Sequence, residues 1–230
     1  MSTYREIVYM CLDEIKMVSD DSYFTQDHII FLADKYRAFL LKKNYTDVKK
    51  SVPESNYQTL CLSLEKVKGI DGDDCSATYL RSSQSLPETL PVGTSKVSPM
   101  DFLAGEITFV SRDRMKYVGY NKFLRNIIYC TIGPDNKLYL KSQNPQMYYL
   151  ENVQYTGVFE NSAEAAKLQC EGNGESCKCD PLDATYPLEE ALIPMAIEFI
   201  VKELTGAIYK PQDSENNATD DLSGLAVKAK

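Results

Sequence analysis

The spacing of apolar residues predicts two helices at the start of the chain. In the first, apolar side chains recur every three or four positions, as on one face of a helix: Tyr4, Val8, Cys11, Ile15 and Val18. After Asp20-Asp21-Ser22, Thr25 is placed to cap a second helix, whose apolar face comprises Ile29, Leu32, Ala33, Tyr36 and Leu40. Such a helical hairpin cannot complete a core alone, so it must pack on a later part of the chain.

A third and longer helix is predicted from Tyr186 to Thr205. Asp183 or Thr185 can cap it, and Pro187 suits its first turn. Its apolar face is wider than a surface helix needs, which favours a central core helix or a helix at a subunit contact. Pro194 removes a backbone donor within the pattern, so we expect a kink or a short first segment there.

Extended structure is predicted between these helices. It begins near Tyr57, where alternation replaces the helical period at Leu60, Leu62 and Leu64. Residues 82–99 combine prolines and a glycine with serines and threonines, a composition that favours a long surface excursion.

A β-hairpin is the clearest local feature of this middle part. The β-rich runs 127–132 and 137–141 flank Gly133-Pro-Asp-Asn136, whose residues suit a tight turn. Further strands are expected over 147–150 and 153–159, and Asn161 or Ser162 can cap a short helix.

These elements predict an α+β fold. In this prediction the helical hairpin and the long C-terminal helix form a bundle over residues 1–50 and 160–210. Residues 51–159 form an inserted domain with a small antiparallel β-sheet. The pattern dissolves after Gly206, and residues 211–230 are predicted to be a flexible tail because they are too polar to fold alone.

Charge is unevenly distributed along the chain. Residues 111–141 contain seven lysines and arginines but two aspartates, whereas residues 150–230 contain fifteen acidic and six basic residues. The two regions are either solvated faces or surfaces that meet, within a subunit or between neighbours. The net charge of -8 argues against a protein whose main task is gripping nucleic acid. The candidate interface residues are Arg112, Arg114, Lys116, Lys122, Arg125, Glu189 and Glu190.

No pattern of catalytic residues occurs in the sequence. It contains no phosphate-binding glycine loop, no HExxH and no GxSxG. The single histidine, His28, lies on the polar side of the predicted second helix, and no neighbour is placed to orient its ring. We therefore interpret His28 as a surface residue and expect a protein that is not an enzyme, with no catalytic residue and no cofactor.

The seven cysteines suggest structural rather than chemical roles. Most sit singly in apolar patterns and are predicted to be reduced core residues, such as Cys11, Cys61 and Cys130. The best metal candidates are Cys170, Cys177 and Cys179, but a structural zinc site needs four ligands and no histidine is adjacent. We expect no bound metal there, and either free thiols or a disulfide formed after release from the cell.

Tyrosine is abundant, at 16 residues, and many of its side chains cluster with the basic middle of the chain. Aromatics among arginines can stack single-stranded bases. Cross-strand pairs and protein contacts are the plainer interpretation. The clustered tyrosines are Tyr117, Tyr120, Tyr129, Tyr139, Tyr148, Tyr149 and Tyr155.

Nothing in the sequence indicates export or a membrane anchor. Five charged residues interrupt the first sixteen positions, which leaves no apolar signal core. The longest apolar run, Ala191 to Ile197, is far shorter than the ~20 residues of a spanning helix. We expect synthesis as a soluble protein in a cytoplasm, without a membrane partner.

Two dense stretches resemble a virion protein family of crAss-like tailed phages. The first runs from Ser111-Arg-Asp-Arg-Met-Lys-Tyr to Cys130-Thr-Ile132 and continues over Lys137–Ser142. The second is Cys179-Asp-Pro-Leu-Asp-Ala-Thr-Tyr-Pro-Leu-Glu-Glu-Ala-Leu-Ile-Pro194. The order of elements also resembles the ring-forming head-to-tail adaptors of short-tailed phages, over most of residues 1–210.

The resemblance implies a structural virion protein made in a host bacterial cytoplasm and located in the neck or tail region. It implies a ring, of twelve subunits, docked beneath the portal protein and against other neck or tail rings. The ring would continue the DNA channel and touch passing double-stranded DNA only transiently. Two alternatives stay open: another virion component, such as a minor capsid or tail-fibre anchoring protein, and a zinc-stabilised protein-interaction module.

Overall fold

The computed structural model of the chain describes residues 2–18, 24–47, 50–68, 78–100, 107–118, 121–169 and 181–208. Its α-helices are α1 (Tyr4–Val18), α2 (Gln26–Tyr45), α3 (Arg112–Met115), α4 (Ser162–Ala166) and α5 (Ile193–Ile208). Short 3-10 helices occupy Glu54–Asn56, Lys122–Leu124, Pro145–Tyr149, Pro181–Asp183 and Glu190–Leu192.

Local chemistry explains where α1 and α5 begin. Before α1, the Thr3 N–H donates to Glu6 Oε2 at 3.0 Å and the Glu6 N–H donates to Thr3 Oγ1 at 3.3 Å, a reciprocal cap of the first turn. Helix α5 starts at Ile193 because Pro194 is tolerated only in a first turn, where its missing N–H has no partner to lose.

Among the described residues, seven strands form one sheet. They are β1 (Gln58–Lys68), β2 (Thr78–Ser82), β3 (Lys96–Pro99), β4 (Thr108–Phe109), β5 (Tyr129–Ile132), β6 (Leu138–Lys141) and β7 (Asn152–Gly157). Their order across the sheet is β3-β7-β1-β2-β6-β5-β4. Every pairing is antiparallel except β4 with β5, which is parallel.

The two edges of the sheet approach each other. Ile107, immediately before β4, donates its N–H to the carbonyl of Val97 in β3 at 2.8 Å. This bridge links the first and last strands of the order, so the sheet is nearly closed and resembles a barrel. Near closure leaves little open edge for unwanted pairing.

The core has separate regions for the helices and the sheet. Buried residues of α1, α2 and α5 pack together with Tyr186 and Leu188. Side chains from one face of the strands form a second core, which includes Leu60, Leu80 and Leu140. On the other face of the sheet lies a smaller cluster of Tyr79, Met115, Tyr129 and Tyr139.

The predicted fold class, a helical bundle with a small inserted antiparallel sheet, is wrong. The protein is a mixed α/β structure in which the seven-stranded, nearly closed sheet is a major part and most described helices have five residues or fewer. The sequence pattern predicts too small a sheet, because β3 and β4 are short and become strands only by pairing with distant residues. The domain boundaries near residues 50 and 160 stay a prediction, and the predicted tail lies outside the described residues.

Several local predictions are confirmed. The hairpin is formed by β5 and β6, and Asn136 takes the positive φ of 54° that its turn requires. Asn161 caps α4, because its Oδ1 accepts the N–H of Glu164 at 2.9 Å. The short first segment expected at Pro194 is the 3-10 turn Glu190–Leu192.

Other local predictions are wrong. The stretch 147–150 is not a strand, because residues 147–149 belong to the 3-10 helix Pro145–Tyr149, which Asn144 caps and after which Leu150 follows. The stretch 82–99 is more than a surface excursion, since it contains β3 and buried side chains such as Leu86. Neither Asp183 nor Thr185 caps α5, which begins later and continues past Gly206.

Candidate interaction surface

The predicted basic residues lie on one anchored stretch, here called the basic segment and defined as residues 111–118 and 121–127. It begins with Ser111, whose carbonyl accepts the N–H groups of Arg114 and Met115 at 3.0 and 3.1 Å and so starts α3. The side chain of Met115 is fully buried in the tyrosine cluster on the sheet. This buried side chain, with Val118 packed beside the same cluster, holds α3 against β5.

The end of β6 holds the basic segment at two further points. Lys141 Nζ donates to the carbonyl oxygens of Met115 and Lys116 at 3.1 and 3.3 Å, which satisfies acceptors that the end of α3 leaves open. Ser142 Oγ donates to the carbonyl of Ile127 at 3.0 Å. The backbone of the segment is therefore held at the end of α3 and at Ile127.

A side-chain cap orders the second half of the segment. Asn121 Oδ1 accepts the N–H of Phe123 at 3.0 Å and starts the 3-10 turn Lys122–Leu124. This turn projects Phe123 outward, and 90% of the Phe123 side chain is exposed. Tyr117 is 77% exposed, and Leu124 and Ile127 are exposed as well.

Exposed aromatic side chains among cations are typical of a protein contact. Large apolar side chains that cluster on a surface mark interaction sites, and interfaces are enriched in arginine and aromatic residues. Arg114, Lys116, Lys122 and Arg125 are exposed, and Arg112 is half-buried. These cations were predicted from the sequence as interface residues. Phe123 and Leu124 were not, because they follow no helical or strand period.

The predicted acidic candidates lie elsewhere, at the start of the 3-10 turn before α5. The Glu189 carboxylate is half-buried and accepts the hydroxyl of Tyr45 at 2.7 Å, while its N–H donates to Asn56 Oδ1 at 2.9 Å. Burial, together with the Glu189 carboxylate, raises the pKa of Tyr45 to about 12. Glu190 is exposed. Glu189 is thus engaged within its own subunit.

The structure describes only part of the cysteine candidates. Cys170, Cys177 and Cys179 lie outside the described residues. Among those described, no three His, Cys, Asp or Glu side chains cluster as metal ligands. Cys11 and Cys130 are buried free thiols, as predicted, but Cys61 is disulfide-bonded, so its prediction as a reduced thiol is wrong.

The described tyrosines of this cluster do not share one surface. Tyr129, Tyr139 and Tyr155 are buried in the cores of the sheet, which makes them structural. Tyr117 and Tyr149 are exposed. Tyr148 is half-buried, Tyr120 lies outside the described residues, and His28 is exposed as predicted.

Sequence reasoning missed a buried polar network that joins the helices to the sheet. The Asp34 carboxylate accepts the hydroxyls of Tyr4 and Ser162 and the N–H of Ala163. One turn later the fully buried Arg37 donates to the carbonyls of Asn56, Phe159 and Pro187. The available signal was the placement of both charges beside the apolar face of α2. The network holds the helices on the sheet and leaves the basic segment outside it.

None of the described helices combines the length and apolar character that would let it cross a bilayer.

Two comparisons with known proteins match nearly the whole chain. The family model described as phage tail ring protein 2 matches residues 6–222. Ring protein 2 of Bacteroides phage crAss001 is 54% identical over 222 residues, an alignment that covers 96% of this chain and 98% of that protein. Both matches include the whole basic segment.

Proposed function

Because the chain belongs to the phage tail ring protein 2 family, and is thus a structural ring protein of a phage tail, we propose that it assembles as a closed ring of twelve copies in the head-to-tail connector. The ring lies beneath the portal protein, contacts other neck or tail rings, and continues the DNA channel towards the tail. The family resemblance seen in the sequence is confirmed. The family description is that of a structural protein and gives no reason to assign catalysis.

The observation that carries the proposal is the anchored and exposed basic segment. Its backbone is held by Met115, Lys141 and Ser142, whereas Phe123 and Tyr117 extend into solvent. A rigid segment loses little conformational entropy on docking, so its aromatic side chains are suited to act as interface anchors. We propose that the segment forms one side of the contact between neighbouring copies.

A closed ring uses a heterologous contact, in which one surface patch meets a different patch on the next subunit. An acidic surface is the natural counterpart of the basic segment. Glu189 and Glu190 are candidates from the sequence. Glu190 is exposed, while the Glu189 carboxylate is already held by Tyr45 and would contribute mainly through its remaining charge.

The acidic character of the chain supports the role of a DNA conduit. With a net charge of -8, the protein provides a wall that repels phosphate overall, so double-stranded DNA slides past it with only transient, non-specific contact. Cations that lie in subunit contacts are not available to bind the phosphates of DNA in the channel. This arrangement would reconcile a strongly basic segment with a passage that must not retain DNA.

Native mass spectrometry of the full chain tests the ring, in metal-free buffer, alone and with portal protein. We expect a closed oligomer of twelve copies, either alone or on the portal. Because the contact is partly electrostatic, we expect molar salt to reduce the ring to smaller species. A persistent monomer under all of these conditions would overturn the proposed assembly, and rings that keep their size in molar salt would overturn its electrostatic contact.

Charge reversal tests the basic segment itself. We expect Arg114→Glu combined with Lys122→Glu to prevent ring formation while the melting temperature stays close to that of the wild type, because both side chains are exposed. Lys68→Glu is the matched control, since Lys68 is exposed at the end of β1 outside the segment. Equal assembly of the double variant and the control would remove the segment from the contact.

A further inference from the structure

Helix α1 exposes apolar side chains on the face opposite its core. The buried face carries Tyr4, Ile7, Val8, Cys11 and Ile15. On the opposite side Met17 is 89% exposed, and Tyr9 and Met10 are about half exposed. The helical spacing of positions 10, 13, 14 and 17 places them on one surface. We name Tyr9, Met10, Asp13, Glu14 and Met17 the outer face of α1.

The charges on this face are acidic and accessible. Asp13 and Glu14 are exposed, and neither carboxylate has a hydrogen-bond or ion-pair partner among the described residues. The carboxylate of Glu6, by contrast, accepts a hydrogen bond at the helix start. Lys16 lies at the edge of the face. The outer face of α1 is thus an apolar surface interleaved with two free carboxylates, the chemical complement of the basic segment.

A second exposed apolar stripe, on α2, does not offer this complement. Phe31 and Phe39 are exposed at positions eight residues apart, but Lys35 lies between them and Lys42 follows. Lys35 already forms an ion pair with Glu203 at 3.2 Å. Arginines and lysines of the basic segment would meet like charges on this stripe, and like charges across an interface are costly. Charge therefore favours α1 over α2 as the counterpart.

We propose that the outer face of α1 receives the basic segment of the neighbouring copy in the ring. The inference rests on the proposed ring assembly and adds the identity of the acceptor surface. Met10 and Met17 contact Phe123 and Tyr117, and methionine suits this role because its flexible thioether makes favourable contacts with aromatic rings. Asp13 and Glu14 face the lysines and arginines around those rings.

The placement of the two surfaces suits a closed ring. Helix α1 packs against α2 and α5, whereas α3 packs against β5 on the outer face of the sheet. The two patches therefore belong to different core regions of the same subunit. Each copy can offer both patches at once, as head-to-tail closure requires.

Glu190, the exposed acid predicted from the sequence, is less suited as the acceptor. No exposed large apolar side chain lies directly beside it in the chain to pack against Phe123.

Carbodiimide cross-linking tests the contact directly, because it joins a carboxylate to an amine only when the two groups touch. Equal amounts of unlabelled and 15N-labelled full chain are mixed before assembly, so that links between copies carry a mixed mass signature. The same reaction is run on purified phage particles, where every ring partner is present. We expect mixed links from Asp13 or Glu14 to Lys116 or Lys122. Links from those lysines to Glu190 or to other acids would overturn the inference while leaving the ring intact.

Charge exchange provides an independent measurement. We expect Lys122→Glu to weaken association about tenfold per contact, and Asp13→Lys in the same chain to restore most of that loss, since the exchanged pair attracts again. Glu151→Lys, which alters an exposed acid outside α1, should restore nothing. If Asp13→Lys fails to rescue while Lys122→Glu disrupts the ring, the acceptor surface is elsewhere. If Lys122→Glu has no effect, the contact assigned to the basic segment fails as well.

Truncating the apolar anchors separates packing from charge. We expect Phe123→Ala and Met17→Ala each to weaken association about thirtyfold, the size of a hot-spot truncation. Combining them should cost little more than either alone, because both remove the same contact. Fully additive losses would show that the two side chains act at separate interfaces and would contradict the inference.

Discussion

Arg37 Nε donates a hydrogen bond of 2.7 Å to the carbonyl oxygen of Pro187, 150 residues further along the chain. The same guanidinium donates to Phe159 and Asn56, so one buried side chain joins α2, the end of the sheet and the approach to α5. Without this side chain, each of these carbonyls would lose the hydrogen bond that Arg37 donates to it. The basic segment and the outer face of α1 belong to regions that this side chain helps to hold together.

The first prediction concerns that cation. We expect Arg37→Met to reduce the free energy of unfolding by about 3–5 kcal/mol, because methionine leaves three buried acceptors without a donor. Urea unfolding of the monomer measures the change. Arg114→Met makes the same substitution at an exposed position and should stay within about 0.5 kcal/mol of the wild type. If Arg37→Met reduces the free energy of unfolding only slightly, water replaces the guanidinium as the donor to these carbonyls.

A second prediction concerns the pH dependence of stability. Burial raises the pKa of the Asp34 carboxyl above its ordinary value of 3.8, although the hydrogen bonds from Ser162 and Ala163 and the charge of Arg37 oppose the rise. Between 3.8 and the raised value, the folded chain keeps a proton that the unfolded chain has released. The contribution of Asp34 to the free energy of unfolding therefore falls as pH rises through this window.

Asp34→Asn should abolish that contribution. We expect the stability of the wild type, relative to the variant, to fall as pH rises above 3.8 through the window set by the raised pKa, as measured by urea unfolding at a series of pH values. The variant should also lose about 1–3 kcal/mol, because its amide cannot accept from Ser162 and Ala163 together. Asp13→Asn, at an exposed site, serves as the control. Parallel curves for Asp34→Asn and the wild type would show that the buried carboxyl does not carry the effect.

Features that depend on neighbouring residues were predictable from the sequence. The turn at Asn136 and the cap at Asn161 follow from side chains that act within four residues of themselves. The interruption at Pro194 follows from a backbone donor that proline lacks. In each case the cause and the structure share one short stretch of chain, so pattern and chemistry agree.

Features that depend on distant pairing were not predictable. Strand β3 lies in a stretch whose composition favours a loop, and only its pairing with β7 makes it a strand. Asp34 and Arg37 look like surface charges until the carbonyls and hydroxyls around them are known. The basic residues of the candidate surface were found because charge is visible in a sequence. The exposure of Phe123 and Met17 could not be predicted in this way, since apolar residues are normally assigned to a core.

Two glycines provide a matched pair for a third prediction. Gly93 has φ of +72°, and a Cβ there would lie 2.3 Å from the hydroxyl oxygen of Tyr57. We expect Gly93→Ala to lower the free energy of unfolding by about 1–3 kcal/mol. A Cβ at Gly206, within α5, would meet nothing within 4 Å, so Gly206→Ala should raise it by up to about 1 kcal/mol. Thermal unfolding compares them, and equal shifts would contradict both assignments.

The fourth prediction concerns the buried thiols. Burial, with a smaller contribution from Glu14, raises the pKa of the Cys11 thiol to about 12, and burial also raises the pKa of Cys130. Both cysteines should therefore resist iodoacetamide at neutral pH until the protein unfolds, as read by peptide mass mapping with and without urea. Labelling of either in the native protein at the rate of the unfolded chain would show that its core opens freely.

The last prediction tests whether Lys141 presents the basic segment rather than contacting the partner. Its ammonium donates to the carbonyls of Met115 and Lys116, so Lys141→Met should loosen the end of α3 without altering any exposed side chain of the segment. Trypsin cuts after lysine and arginine, and we expect cleavage within residues 112–125 to accelerate several-fold as local opening becomes easier. Lys68→Met, at an exposed site on β1, should leave the cleavage rate unchanged.

The same variant links the stability of the segment to assembly. If a fixed backbone lowers the entropy lost on docking, Lys141→Met should weaken ring association although Phe123, Tyr117 and the exposed cations are all retained. Native mass spectrometry at falling protein concentration measures that loss beside the proteolysis rate. Faster cleavage with unchanged association would mean that the segment docks equally well from a loose state. Unchanged cleavage with weaker association would instead make Lys141 a contact residue.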